Sequence, residues 1–330
     1  MIKIIAALAI LCALPVPTAL LLKIADRKIG FGCSYASGVV LHLTIFALYI
    51  KGMLEEMAAP DMRPVKAILF MVLGEAAVLA VVVAVKCCKA KKWPGLRQLF
   101  GSEAVDNARN DSNRTGMALY ILAGIIWILG AFSYLRYVPD NAVTMMADIN
   151  RLDFFGVTNG DTMVMLGYYM KKLLGISQAD AVCIVIPVFF YAAFVFLMWE
   201  MAKVFFSEDP LKRSLCFLTQ GILLVAGDCL YTQSHIVLHG LNHLENILLA
   251  LCVPLAFIIG LQLYLSGRKI VDTESRSLSM PSCLLGLAIC MICAYLLDQR
   301  VFALTGLNAV IFILLFIGRR YLPWLQSSKS

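Results

Sequence analysis

The sequence predicts an all-α, polytopic membrane bundle, and three observations carry that prediction. Of the 330 residues, 61% are hydrophobic and 15% charged, whereas soluble domains carry about 45–50% apolar and about 25% charged residues. Mean hydropathy is +0.84. Apolar runs also recur that approach the roughly 20 residues a helix needs to cross a hydrocarbon core.

The first run, IKIIAALAILCALPVPTALLLKIA, has the early Lys3 and small residues of a signal peptide. Pro15 and Pro17 sit in its middle and no clean cleavage box follows, so it is read as a first span kinked by proline. Further spans are predicted near 33–50, 67–85, 117–138, 181–206, 214–231, 244–266, 282–297 and 303–318, about nine in all. Residues 1–116 then hold the N-terminal spans and a basic loop. Residues 117–266 hold a core with an acidic loop at 136–176 and a histidine-bearing loop at 232–243, and 267–330 hold the last spans and the tail.

Basic residues orient the spans. The loop after span three is the most basic, with Lys86, Lys89, Lys91, Lys92, Arg97, Arg109 and Arg114. Placed inside, it puts Lys23, Arg27, Lys28, Lys212, Arg213, Arg268, Lys269, Arg319 and Arg320 inside too, while 232–243 has no Lys or Arg and falls outside. The N-terminus is then outside and the C-terminus cytoplasmic. The net charge of +7 is therefore read as loop orientation and not as a nucleic-acid surface. Sequons at Asn110 and Asn113 fall in that inside loop and are read as chance matches.

The cysteines Cys12, Cys183, Cys216, Cys252, Cys290 and Cys293 lie in apolar runs and are read as small hydrophobes. Cys87 and Cys88, between Lys86 and Lys89, are a possible acylation pair, with a structural role favoured. P-loop, HExxH and GxSxG motifs are missing, and no GxGxxG precedes a soluble domain.

The acidic loop runs RYVPDNAVTMMADINRLDFFGVTNGDTMVMLGYYMKKLLGISQAD. Asp140 follows a span directly, beside Pro139, and a carboxylate at a low-dielectric boundary is a candidate base. Asp148 and Asp153 follow, interleaved with the cations Arg136, Arg151, Lys171 and Lys172. The stretch 163–176 is spaced as an amphipathic helix lying in the interface, with Tyr168 and Tyr169 at headgroup depth and Ser177 capping the next span.

His235, His239 and His243 recur every fourth residue. On one helix they fan over only about 80°. They are expected as a stripe at the outer end of span seven, above Glu245 and Asn246. Three readings stand: a polar interfacial cap, a site for a lipid phosphate, and a metal site. The first and third histidines would be about 12 Å apart along the axis, which argues against one ion held by all three unless the helix breaks at Gly240. Such a face suits a long ligand.

Within the spans, Glu75 and His42 are ionisable residues at membrane depth, and Asp228 lies near the outer end of span six. Such residues are functional candidates by default, although Glu75 and His42 could pair and simply direct packing. Glu200 and Lys203 are read as boundary residues. Prolines 15, 17, 187 and 254 are possible helix breaks, which would suit a transporter with half-helices at the midplane.

The stretch YVPDNAVTMMADINRLD, then a near-surface helix, then SQADAVCIVIPVFFYAAFVFLMWEMAKVFF and HLENILLALCVPLAFIIG, resembles the GT-C superfamily of membrane glycosyltransferases. The likeness covers about 117–265 and is one of layout. The resemblance implies transfer of a sugar from a polyprenyl-phosphate donor at the outer membrane face, with Asp140 as base and Asp148 or Asp153 as a second acid. It implies Arg136, Arg151, Lys171, Lys172 and the histidine face as phosphate ligands, with Glu245 beside them. No cofactor is required by this reading, and a divalent metal is compatible with it. The expected partners are membrane lipids, a lipid-linked sugar donor and other membrane proteins, with no nucleic acid. The chain departs from the family in having three spans ahead of the one that leads into the acidic loop, in being short, and in placing Glu245 where a basic residue is common. The alternatives are a transporter or flippase, and a non-enzymatic subunit of a cell-envelope assembly.

Overall fold

A computed structural model describes residues 1–26, 29–55, 62–90, 110–136, 141–155, 161–206, 209–226, 233–266 and 280–321, and every regular element among them is helical. Helices α1 (Ile2–Ala13) and α2 (Val16–Ala25) share the first apolar run. Pro15 divides them, because proline lacks an N–H and its ring crowds the preceding turn. Beside the bend, Tyr35 of α3 (Phe31–Glu55) donates its hydroxyl to the carbonyl of Cys12 at 3.1 Å. Next come α4 (Arg63–Ala90) and α5 (Asn110–Arg136), then two shorter helices, α6 (Ala142–Phe155) and α7 (Thr162–Leu174). The rest of the bundle is α8 (Gln178–Phe205), α9 (Pro210–Ala226), α10 (Gln233–His239), α11 (Leu244–Ser266), α12 (Met280–Leu297) and α13 (Gln299–Tyr321).

Among the described residues, seven helices are long and apolar enough to cross a membrane: Ile2–Ala25, Phe31–Met53, Arg63–Val85, Gln178–Phe205, Leu244–Ser266, Met280–Leu297 and Gln299–Gly318. A shorter apolar stretch, Gly116–Phe132, lies in α5, and α9 has 17 residues. Helices dominate for a physical reason. In hydrocarbon each backbone N–H and C=O must be bonded within the protein, and a helix does this within one segment.

The central helices α3, α8 and α11 pack on one another, and among the described residues one continuous core runs from Ala7 to Phe316 and takes in every helix except α4, whose Val65 and Ile68 pack on a smaller cluster that includes Phe46, Ile50 and Tyr169. Close approach at the centre depends on glycine. A Cβ on Gly32 of α3 would fall 2.2 Å from the Phe196 carbonyl of α8. Peripheral helices show the opposite character. Phe70 and Val81 of α4 are 71% and 62% exposed, and Ile121, Leu285 and Leu314 present similar apolar surface from α5, α12 and α13. In water such a surface would aggregate; against lipid tails it is matched. The chain is an all-α membrane protein.

Two sequence expectations are corrected. Helices α8 and α11 are not broken at Pro187 or Pro254. A π-helical turn, Ala181–Val185, precedes Pro187 and absorbs its missing hydrogen bond, and Pro254 sits inside an uninterrupted helix. Glu200 is also more than a boundary residue. It is 5% exposed, and its Oε2 accepts the amide of Gly32 at 3.3 Å and faces Lys203 Nζ at 3.2 Å. It thus caps the N-terminus of α3 from another helix, where the exposed amides and helix dipole favour an anion.

Candidate functional site

One end of the bundle gathers the segments that the sequence marks as chemical. Asn141 follows α5 with a left-handed backbone (φ 57), a conformation asparagine tolerates better than most residues. Its carbonyl accepts the amide of Met145 and starts α6. Its side-chain Nδ2 lies 3.2 Å from Nε2 of His243, joining segments 102 residues apart. Lys3 donates to the carbonyl of Gly175 at 3.1 Å, and Arg300 bonds Glu245 at 3.3 Å. The N-terminus, the acidic loop, the histidine segment and the α12–α13 turn therefore meet.

The histidines do not form a single stripe, which corrects the sequence expectation. His235 and His239 belong to α10, whereas His243 sits in the turn before α11. The helix stops at Gly240, whose carbonyl accepts Asn246 Nδ2 at 3.1 Å; a Cβ at Gly240 would meet that nitrogen at 2.4 Å. A side chain from the next helix thus replaces the continuing backbone bond and turns His243 toward Asn141. Among the described residues no group of three His, Cys, Asp or Glu side chains converges as a metal site.

The acids and cations of α6 and α7 pair with each other. Asp153 holds Lys171 through Oδ2 and Lys172 through Oδ1, the latter at 3.1 Å. The hydrogen bond from Lys171, followed by that from Lys172, keeps the Asp153 carboxyl below its ordinary range. The same contact raises Lys172, which also lies over the Tyr168 ring at 5.5 Å. Asp148 meets Arg151 one turn away at 3.4 Å. An incoming phosphate would therefore compete with resident carboxylates for these cations. The apolar side of α7 (Met163, Val164, Tyr169, Met170) is buried against the bundle. Asp161 caps its start through the Met163 amide at 2.7 Å, and Gly175 ends it with φ 59. Ser177 caps α8 by accepting the Asp180 amide at 3.0 Å, as the sequence predicts. Asp140, Asp228 and the side chains of Arg136 and His235 lie outside the described residues.

A second cluster lies deep in the bundle. Glu75 Oε2 accepts the hydroxyl of Thr18 at 2.6 Å and stands 3.6 Å from His42 Nε2. Thr18 Oγ1 lies 3.3 Å from that same His42 nitrogen. Glu75 is the acidic residue that α4 turns inward, so the contact fixes the rotation of a helix otherwise facing lipid. His42 also borders a cavity of about 280 Å³ formed by α1, α3, α4, α7 and α8. Sequence reasoning found Glu75 and His42 as rare ionisable residues but missed Thr18 and the cavity. The available signal was a hydroxyl one residue past Pro17 in an otherwise apolar run.

No protein-family model matches the chain, and neither a curated protein nor a solved structure matches it.

Proposed function

We propose that this protein is a membrane glycosyltransferase using a polyprenyl-phosphate-linked sugar at the outer face of a cell membrane. In this reading it spans the bilayer about nine times, with α5 and α9 included, the N-terminus outside and the C-terminus inside. The observation supporting it most is the Asn141–His243 contact, which brings the start of the acidic segment against the histidine segment. Asp140, the residue before Asn141, is assigned as the base. It takes the proton of the acceptor hydroxyl as that oxygen attacks the anomeric carbon. The carbon–oxygen bond to the phosphate breaks, and the lipid phosphate leaves with its charge balanced by cations and imidazoles at this end. Asp148 and Asp153 are engaged by Arg151, Lys171 and Lys172, which favours Asp140 for this role and makes the other two positioning residues.

The test is transfer from a panel of radiolabelled polyprenyl-phosphate sugars by the purified chain in lipid nanodiscs. Asp140→Asn should lower turnover by about 100-fold or more with unchanged thermal unfolding. Wild-type turnover by that variant would sink the assignment. A carrier coupled to a protonatable midplane group is the second reading, favoured by the Thr18–His42–Glu75 cluster. Loss of function with Glu75→Gln but not with Asp140→Asn would select it.

A further inference from the structure

The cavity formed by α1, α3, α4, α7 and α8 presents almost nothing but hydrocarbon. Its inner wall is buried: Leu11, Val39, Leu43 and Phe190 are at most 9% exposed. His42 and Tyr169 border it, but polar atoms contribute almost nothing to its surface, and His42 Nδ1 has essentially no accessible area. A polar group carried inside would lose its bonds to water and gain none in return. Whatever part of an occupant enters is therefore hydrocarbon. At about 280 Å³ the space is near the lower limit of small-ligand pockets, roughly 300 Å³, and takes part of one chain.

The rim is exposed, and charge stands beside it. Ile10 of α1, Leu69 of α4 and Leu173 of α7 are 47%, 51% and 51% exposed. Each of these helices carries a lysine near its rim residue. On α1, Lys3, Ile10 and Leu14 fall within about 40° of one face. On α4, Lys66 precedes Leu69 by one turn on the same side. On α7, Lys172 adjoins Leu173 and is already held by Asp153. Lys3 and Lys66 differ from it. Both are exposed, and among the described residues neither meets a carboxylate; Lys3 donates to the neutral carbonyl of Gly175. Val65 and Ile68, beside Lys66, pack with Tyr169 of α7, and Gly175 ends that helix, so both lysines stand at the α7 end of the cavity.

Depth points the same way. From Lys3 to Leu14 the helix axis rises about 16 Å, half of a hydrocarbon core about 30 Å thick. The cavity thus reaches one leaflet deep from a positively charged rim. Lysine stems lie along apolar surface while their ammonium groups extend to the headgroup layer.

We propose that this cavity seats one hydrocarbon chain of an anionic phospholipid from that leaflet, with the lipid phosphate neutralised by Lys3 and Lys66. Phospholipid is the anion on hydrocarbon that a bilayer supplies in bulk. The site needs no sugar donor, so it stands or falls separately from the transferase reading.

The experiment uses the full chain in nanodiscs and phosphatidylglycerol bearing a diazirine at the end of one acyl chain, with crosslinked peptides mapped by mass spectrometry. Labelling should fall on the α3 and α7 peptides that line the cavity. Unlabelled phosphatidylglycerol should compete better than phosphatidylcholine of the same chains. That preference should fall about fivefold for each of Lys3→Gln and Lys66→Gln, the equivalent of about 1 kcal/mol per lysine near a charged lipid surface. Val39→Phe places a ring in the cavity and should abolish labelling at unchanged thermal unfolding; should that variant fail to fold, the two lysine variants decide alone. Undiminished labelling of a folded Val39→Phe protein, or labelling confined to other helices, would overturn the site. Equal competition by the two phospholipids, or a preference that survives both lysine changes, would overturn the anionic headgroup and leave a seat for any lipid chain. Stronger competition by a polyprenyl phosphate than by phosphatidylglycerol would overturn the phospholipid as occupant.

Discussion

Two polar clusters of this protein use similar residues under opposite conditions. At the end of the bundle, Asp153 binds Lys171 and Lys172, whose side chains are 32% and 47% exposed. Deep in the bundle, Thr18, His42 and Glu75 meet with side-chain exposures of only 9% for His42 and 15% for Glu75. The first cluster forms in competition with water and salt, so it organises a surface at little energetic consequence. The second has no water to fall back on, so losing one member strands another. Buried polar contacts in this chain therefore act as determinants of helix position, while surface ones tune local charge.

The largest effect is expected from splitting the buried cluster. His42→Leu should destabilise the protein by about 3 kcal/mol in an SDS-unfolding titration, because among the described residues Glu75 then keeps only Thr18 as partner. The double variant His42→Leu with Glu75→Leu should recover to within about 1 kcal/mol of the parent, since two apolar groups suit that wall. A double variant worse than the single would mean that the cluster contributes more than mutual satisfaction.

An intermediate effect should come from Glu200, which is buried yet matched to a helix terminus. Glu200→Ala should cost about 1–2 kcal/mol by the same titration, the range of a lost N-cap. A negligible cost would show that the amide of Gly32 finds another acceptor.

The smallest effect belongs to the surface. Asp153→Asn should lower the melting temperature by no more than about 2 °C, and 1 M salt should remove that difference while leaving the His42→Leu defect in place. The pH dependence is defined at both limits. The Asp153 pKa is depressed, so its contribution is complete above the ordinary carboxylate value of 3.8 and is lost as pH falls through the lower folded value. The Lys172 pKa is raised, so its contribution is complete below 10.5 and is lost as pH rises through the higher folded value. Stability of Asp153→Asn relative to the parent should therefore be flat around neutrality and converge in acid. A change between pH 5 and 8 would point to a histidine instead.

The candidate site was legible in unequal parts. Glu75 and His42 stood out because an ionisable residue in a hydrocarbon run is rare, and their contact follows from the cost of leaving either alone. The convergence of the acidic loop with the histidine segment was legible only as two segments expected on one side of the membrane. That Asn141 and His243 touch depends on a left-handed turn and on the break at Gly240, neither of which has a period in the sequence. The regular spacing of the histidines suggested one helix. The side chain of Asn246, reaching back across the turn, overruled it.

What the amino-acid order determined by itself is the all-α membrane character, the run of apolar helices, the bend at Pro15 and the amphipathic α7. These depend on hydropathy and on covalent limits of the backbone, which act within one segment. Only the tertiary structure decided that α3, α8 and α11 form the centre, that Glu200 caps α3, and that His42 borders a cavity shared by five helices. Each of those needs groups far apart in the chain to share a few ångströms. Hydrocarbon helices are nearly interchangeable in lipid, so close fit at glycines and the few buried polar contacts choose among their arrangements.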